Sequence, residues 1–153
     1  MEVICREAAP DDVPAIGALI RKYAEKGIML PRSEETLAAM IDSFVVAEAD
    51  GRLIGCGSLC RLGADLAEIR SLGIDDGYKG NGVGRRIVAK LEEAARKQGI
   101  VKLMALTYEV PFFEKCGFSI VAKDIFPEKV WRDCLNCKKR YCCDEIAVLK
   151  RLD

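Results

Sequence analysis

The most informative segment of the sequence is glycine-rich and basic: Tyr78-Lys79-Gly80-Asn81-Gly82-Val83-Gly84-Arg85-Arg86. Its three glycines at alternate positions directly precede Ile87, Val88 and Leu91, which recur at helical spacing. A helix N-terminus offers unpaired N–H groups and a partial positive charge, and glycines let an anion approach that backbone closely. The stretch therefore predicts a pyrophosphate-binding loop that opens a helix, with extra charge from its lysine and two arginines.

Two other phosphate motifs do not fit this loop. A dinucleotide fingerprint would need glycine where Arg85 stands, and no Gly-Lys-Ser/Thr of a Walker A loop follows. The loop resembles Gln/Arg-x-x-Gly-x-Gly/Ala, the acyl-CoA loop of the GNAT acyltransferase superfamily, with lysine at the first position. A glycine-rich turn that merely starts a surface helix is the alternative. The cofactor-binding residues that the resemblance implies here are Lys79, Gly80, Asn81, Gly82, Val83, Gly84 and Arg85.

Length and charge limit the classes of function. The 153 residues, half of them hydrophobic, predict a single domain over residues 1–153. The 24 basic and 24 acidic residues balance, which argues against nucleic acid as the main partner. No apolar run has the length of a membrane span, and the N-terminus lacks the pattern of a signal peptide. We therefore expect a cytoplasmic protein that does not bind membranes.

The chain has eight cysteines and no histidine. The missing histidine removes the commonest general base and the commonest zinc ligand. Cys134, Cys137, Cys142 and Cys143 are candidate ligands of a structural zinc within a cysteine-rich tail, residues 126–144. Adjacent cysteines rarely join one tetrahedron with another pair, so reduced thiols are the favoured interpretation.

The order of the predicted elements is strand-helix-helix-strand-strand-strand-helix-strand-helix-strand. It predicts an α/β fold, with a mixed sheet of six to seven strands and helices on both faces. Ser33 is a predicted helix cap, and Asp50-Gly51 predicts a hairpin. Gly55-Cys56-Gly57 predicts a thin place in the strand, where something approaches its backbone.

The strand predicted at residues 66–74 carries two opposite charges. Alternation places Glu68 and Arg70 on one face, and burying such charges without a role is costly. An exposed ion pair on an edge strand is the alternative. Gly73 permits a bulge that would leave backbone N–H groups free nearby.

A second segment strengthens the resemblance. Phe112-Phe113-Glu114-Lys115-Cys116-Gly117-Phe118 is similar to the Tyr-Glu-Lys-x-Gly-Phe segment of the GNAT superfamily, and the likeness covers roughly residues 3–150. Residues 27–33, 44–48, 55–57, 67–72 and 105–108 resemble N-acetylglutamate synthases and, more closely, short stand-alone amino-acid N-acetyltransferases of arginine biosynthesis, which also carry a tail like residues 126–134.

The resemblance implies direct transfer of an acetyl group from the co-substrate acetyl-CoA to the α-amino group of a small amino acid, glutamate or glutamine, in a ternary complex. Glu68 is the implied base, acting directly or through a water. Backbone at Leu72, Gly73 and Ile74 is implied to hold the pantetheine and to stabilise the charged thioester oxygen.

The remaining implied residues flank these. Phe112 and Phe113 belong to the implied cofactor site, although many family members have at position 113 a tyrosine that protonates the departing thiolate. Tyr108 is the nearest substitute in sequence, or else a core aromatic. The candidate contacts to the substrate are Arg32 and Arg70, for carboxylates, with Ser71 and Thr107 in support.

Two alternative functions stay open at this point. The same fold serves protein and peptide N-acetyltransferases, and a CoA-binding regulatory module without turnover is the other alternative. A homodimer is possible, since many superfamily members form one.

Overall fold

The computed structural model describes residues 2–122 and 145–152. Its strands form one mixed sheet in the order β1-β2-β3-β4-β5-β7-β6, which confirms the predicted fold class. In the described part of the chain, no helix is long and apolar enough to cross a bilayer. The elements are β1 Val3–Glu7, α1 Val13–Glu25, α2 Glu34–Ala39, β2 Phe44–Ala49, β3 Arg52–Arg61, β4 Leu66–Ile74, α3 Val83–Lys97, β5 Lys102–Thr107, α4 Val110–Lys115, β6 Ser119–Val121 and β7 Ile146–Arg151.

The contacts divide the chain into two compact units. The first unit is Met1–Leu59 with Ile69–Ala94, and the second is Cys60–Glu68 with Ala95–Asp153. Each unit is described by itself below. The single domain over residues 1–153 stays a prediction.

In the first unit, β1 and β3 both run antiparallel to β2. Asp50 and Gly51, between β2 and β3, have positive φ angles of 52° and 77°. A tight two-residue turn between twisted strands needs this left-handed backbone. The hairpin predicted from Asp-Gly is therefore confirmed.

One face of this first sheet section is covered by α1 and α2. Apolar side chains of the two helices are buried against Phe44, Val46 and Cys56, which share a face because Val46 pairs with Cys56. The predicted cap of α2 is confirmed, because the Ser33 hydroxyl accepts a hydrogen bond from the Thr36 N–H at 3.1 Å.

The other face is covered by α3. A Cβ built at Gly55 would lie 3.0 Å from the Ile87 side chain, and one built at Gly57 would lie 3.0 Å from Ile87 and 3.3 Å from Leu91. The predicted close approach to this strand is thus confirmed, and the approaching element is α3. Helices therefore lie on both faces of the sheet in this unit.

In the second unit, the first residues of β4 pair with β5 in parallel, from Leu66 to Glu68. The strand β7 lies antiparallel to β5 on one side and to β6 on the other. The predicted order of elements omitted β7, although Ala147 and Val148 within it are 1% and 0% exposed. Its partners are far away in sequence, so no local turn signal announces it.

We expect Gly57→Ala to lower the melting temperature. The added methyl group would force Ile87, Leu72 and Leu91 to shift, and overpacking of this kind costs about 1–3 kcal/mol. Thermal unfolding of the purified variant measures the effect. Gly77→Ala is the matched control, because a Cβ there meets nothing within 4 Å. Equal melting temperatures for both variants would contradict close packing of α3 on β3.

Candidate active site

The glycine-rich loop is built for an open, left-handed backbone. Gly80 and Gly82 have φ angles of 84° and 78°, and a Cβ at either would meet nothing within 4 Å. The helix α3 begins at Val83, directly after the loop. The helix predicted directly after the loop is therefore confirmed. The unobstructed backbone of the loop and the helix N-terminus fit a pyrophosphate group.

The basic residues of the loop differ in their contacts. Lys79 Nζ lies 3.0 Å from an Asp76 carboxylate oxygen and 5.2 Å from the centre of the Tyr23 ring. The hydrogen bond between them raises the pKa of Lys79 and lowers that of Asp76. Arg86 donates to the Val3 carbonyl at 2.8 Å. Arg86 thus covers the β1 edge, while Lys79 stands beside the end of β4.

The irregular residue of β4 is Ser71. It has a φ of 53°, a left-handed conformation that is rare for serine and that clusters at functional sites. The sequence predicted a bulge at Gly73 instead. Glycine is needed at position 73 for another reason, because a Cβ there would lie 2.8 Å from the Tyr23 ring.

The backbone N–H groups of residues 72–74, predicted to be free, differ in their hydrogen bonding. The Ile74 N–H donates to the Tyr23 hydroxyl at 2.9 Å, so that part of the prediction is wrong. The next N–H, of Asp75, donates to Ile54 of β3 at 2.7 Å. Because successive N–H groups of a strand point to opposite sides, Leu72 directs its N–H to the same side as Ile74, away from β3. Leu72 therefore remains the candidate donor to a thioester oxygen.

A buried thiol lies beside this irregular stretch. Cys56 Sγ donates to the Ser71 carbonyl at 3.3 Å. Burial raises the pKa of the Cys56 thiol to about 12, while a hydrogen bond with the Gly73 backbone acts in the opposite direction. Cys56 therefore stays a protonated thiol at neutral pH and supports the left-handed residue.

The two charged residues of β4 are buried to different extents. Glu68 is only 3% exposed, and Arg70 is half-buried. The strand β4 has neighbours on both sides in the sheet. The alternative interpretation, an exposed ion pair on an edge strand, is therefore wrong. A carboxylate this deep in a sheet fits a catalytic role.

In the second unit, the predicted site residues at positions 107, 108, 112 and 113 lie at the end of β5 and in α4. The Thr107 hydroxyl accepts from the Glu109 N–H at 2.7 Å, which turns the chain from β5 into α4. Tyr108 is 37% exposed, so the interpretation as a core aromatic is wrong. Phe113 is buried, with edge-to-face contacts of 5.1 Å to Phe112 and 5.2 Å to Phe118.

Arg32 in the first unit carries an unmet hydrogen-bond donor. Its Nε is buried and, across residues 2–122 and 145–152, has no hydrogen-bond partner. Arg32 directly precedes Ser33, the cap of α2, so the start of that helix fixes its backbone. A buried, unsatisfied guanidinium nitrogen is unusual and indicates a site for an anion.

Two residues near the site were missed by the sequence reasoning. Hydrophobic spacing predicts Tyr23 only as part of the apolar face of a helix, and Gly55-Cys56-Gly57 places Cys56 only in a thin strand. The hydroxyl of a tyrosine on an apolar stripe needs a hydrogen-bond partner, which was the available signal for Tyr23. Nothing in the sequence indicates that the partner is Ile74.

Within the described residues, no group of three or more cysteine, aspartate or glutamate side chains could hold a metal ion. The candidate zinc ligands Cys134, Cys137, Cys142 and Cys143 lie outside the described residues.

Comparison with known proteins identifies the family. The sequence profile of the Acetyltransferase (GNAT) family matches residues 15–118. The chain belongs to the GNAT family. It is an acetyl-CoA-dependent N-acetyltransferase, close to amino-acid acetyltransferases.

Similar proteins agree with this assignment. An uncharacterized N-acetyltransferase of Chlorobaculum tepidum is 41% identical, over 96% of this chain and 95% of its own length. An amino-acid acetyltransferase of Mycobacterium tuberculosis is 39% identical, over 76% of this chain and 68% of its own.

A solved structure of similar fold contains CoA. The N-acetylglutamate synthase of Neisseria gonorrhoeae, complexed with coenzyme A and N-acetyl-glutamate, superposes with a TM-score of 0.86 at 33% identity. It covers 100% of this GNAT chain, which spans 36% of the synthase.

We expect Gly82→Ala to weaken CoA binding. Alanine at a φ of 78° costs about 1 kcal/mol, and the added methyl group also obstructs the open loop. Gly99→Ala is the matched control, because Gly99 has the same φ and equally open surroundings just after α3. Calorimetric titration with CoA should show at least about a tenfold loss only for Gly82→Ala, with similar melting temperatures for both. Equal CoA affinities would contradict the loop as the cofactor site.

Proposed function

We propose that this GNAT enzyme transfers the acetyl group of acetyl-CoA to the α-amino group of glutamate or glutamine, in the cytoplasm and as a step of arginine biosynthesis. The observation that carries the proposal is the buried Nε of Arg32, which has no hydrogen-bond partner among the residues that the structure describes. The names of similar proteins, amino-acid acetyltransferase and N-acetylglutamate synthase, support the same substrate class.

Arg32 is suited to a carboxylate. A buried donor without a partner costs about 1–3 kcal/mol, and a bound carboxylate would remove that cost. A guanidinium group binds a carboxylate through two parallel hydrogen bonds. A lysine within a protein substrate has an uncharged amide backbone and therefore offers no α-carboxylate for this contact. The proposal therefore favours a free amino acid, with Arg70, Ser71 and Thr107 as further candidate contacts.

The proposed chemistry is a direct transfer. The substrate ammonium gives a proton to Glu68, or to a water beside Glu68, and the neutral amine attacks the thioester carbonyl carbon. The carbon–sulfur bond breaks as the amide bond forms, the nitrogen gives its second proton to solvent, and CoA leaves as a thiolate. The Leu72 N–H is the proposed donor to the oxygen that gains charge. Phe113 has no proton to give, so the thiolate leaves without help from that residue.

The direct test is acetyl transfer to a panel of free amino acids, read by the mass of the product. Mass detection avoids thiol reagents, which the eight cysteines would confuse. Acetylated glutamate or glutamine supports the proposal. An inactive panel with intact CoA binding overturns it and indicates a protein acceptor or a regulatory role.

We expect Arg32→Ala to raise the KM for the amino acid about tenfold or more, the size of one lost charge-assisted contact. The melting temperature should not fall, because the Arg32 Nε has no partner to lose among the described residues. Steady-state kinetics with each substrate varied in turn measures the effect, and the KM for acetyl-CoA should stay constant. Arg21→Ala is the control, since Arg21 is exposed on α1. An unchanged amino-acid KM would remove Arg32 from the site.

We expect Glu68→Gln to lower kcat at neutral pH by about 100-fold or more, the usual contribution of a general base. Activity should recover in part at high pH, where the substrate amine loses its proton to solvent. Profiles of kcat against pH measure both effects. Glu92→Gln is the matched control, because Glu92 is also buried, at 8% exposed, but lies on α3. A kcat for Glu68→Gln that equals wild type at every pH would exclude Glu68 as the base.

A further inference from the structure

Tyr23 contacts the end of β4 through its hydroxyl and through its ring. Its hydroxyl donates to the Ile74 carbonyl at 2.7 Å and accepts from the Ile74 N–H at 2.9 Å. A Cβ built on residue 73 would lie only 2.8 Å from Cε2 of the Tyr23 ring. A single side chain on α1 thus satisfies both backbone groups of one strand residue and excludes a side chain from the preceding one.

The same ring also reaches the glycine-rich loop. Lys79 Nζ lies 5.2 Å from the ring centre, a distance at which a cation is attracted to an aromatic face. Asp76 holds the ammonium of Lys79 from another side at 3.0 Å. Lys79 is the first residue of the loop that resembles an acyl-CoA motif, and Ile74 is the last residue of β4.

The side of β4 that Tyr23 contacts is the side of the Leu72 N–H. Asp75 donates to β3, so the backbone groups of Leu72 and Ile74 point away from that strand. The register with β5 includes only residues 66–68 of β4, so Leu72 and Ile74 lie beyond it. Along this side, Tyr23 occupies the groups of Ile74 and leaves the position of Leu72 as the next one available to an extended ligand.

We propose that Tyr23 is a positioning residue for the acyl-CoA site: it aligns the end of β4 with Lys79, so that the pantetheine and the pyrophosphate of one CoA molecule are bound together. This inference rests on the proposed function for the identity of the ligand. The residues predicted from sequence to bind the cofactor all lie outside α1. The inference adds this helix to the cofactor site.

The first test compares Tyr23→Phe with wild type. Phenylalanine keeps the ring over Gly73 and under Lys79 but cannot bond Ile74. We expect CoA to bind about tenfold more weakly, as for the loss of one or two hydrogen bonds, while the amino-acid KM is unchanged. Unchanged or tighter CoA binding would overturn the inference, as would an equal rise in the KM of both substrates. Arg21→Ala, on the same helix, serves as the control for surface changes.

The second test uses the contact between Tyr23 and Gly73. Gly73→Ala should weaken CoA binding in wild type, because the new Cβ displaces the ring. In the Tyr23→Leu background, where the ring is gone, the same change should weaken binding no further. Equal losses in both backgrounds would overturn the inference, even where Tyr23→Phe is too unstable to measure. A wild-type protein that binds no CoA would instead reject the proposed function itself.

Discussion

The packing of α3 directly on the backbone of β3 is the constraint on which the first unit depends. Gly55 and Gly57 have no side chains, so Ile87 and Leu91 lie within van der Waals distance of the strand itself. This contact fixes the height of α3 above the sheet and therefore the place where its first turn begins. The glycine-rich loop, directly before that turn, is thereby held at the end of β4.

From the opposite direction, α1 reaches the same end of β4 through Tyr23. The last residues of β4 are thus held by side chains, Cys56 at the Ser71 carbonyl and Tyr23 at Ile74. Side-chain hydrogen bonds satisfy backbone groups that a neighbouring strand would otherwise take. Tyr23 satisfies Ile74 on the edge that faces away from β3 and leaves the neighbouring position of Leu72 on that edge to a ligand, while Cys56 acts on the β3 side.

Local patterns in the sequence predicted most of the first unit correctly. The bounds of β4, the Asp50-Gly51 hairpin and the Ser33 cap follow from alternation, turn chemistry and capping, which depend on neighbours in sequence. The errors concern contacts between distant residues. Gly73 was explained by a bulge because its true reason, the Tyr23 ring, lies fifty residues earlier. The site residues could be proposed from resemblance alone, but the unmet Nε of Arg32 and the depth of Glu68 are properties of tertiary packing.

The position of β7 has a consequence for the order in which the second unit is completed during synthesis. The strand pairs with β5 from Lys102 to Thr107 and with β6 from Ser119 to Val121, so it stands between two strands that leave the ribosome before it. Until residues 146–151 emerge, β5 has one unpaired edge and β6 has not gained the neighbour that it pairs with in the described sheet. Such pairing between distant segments is slow because the intervening chain must first be closed into a loop. A chain truncated between β6 and β7 would therefore lack the central neighbour of both strands, not merely a strand at the margin.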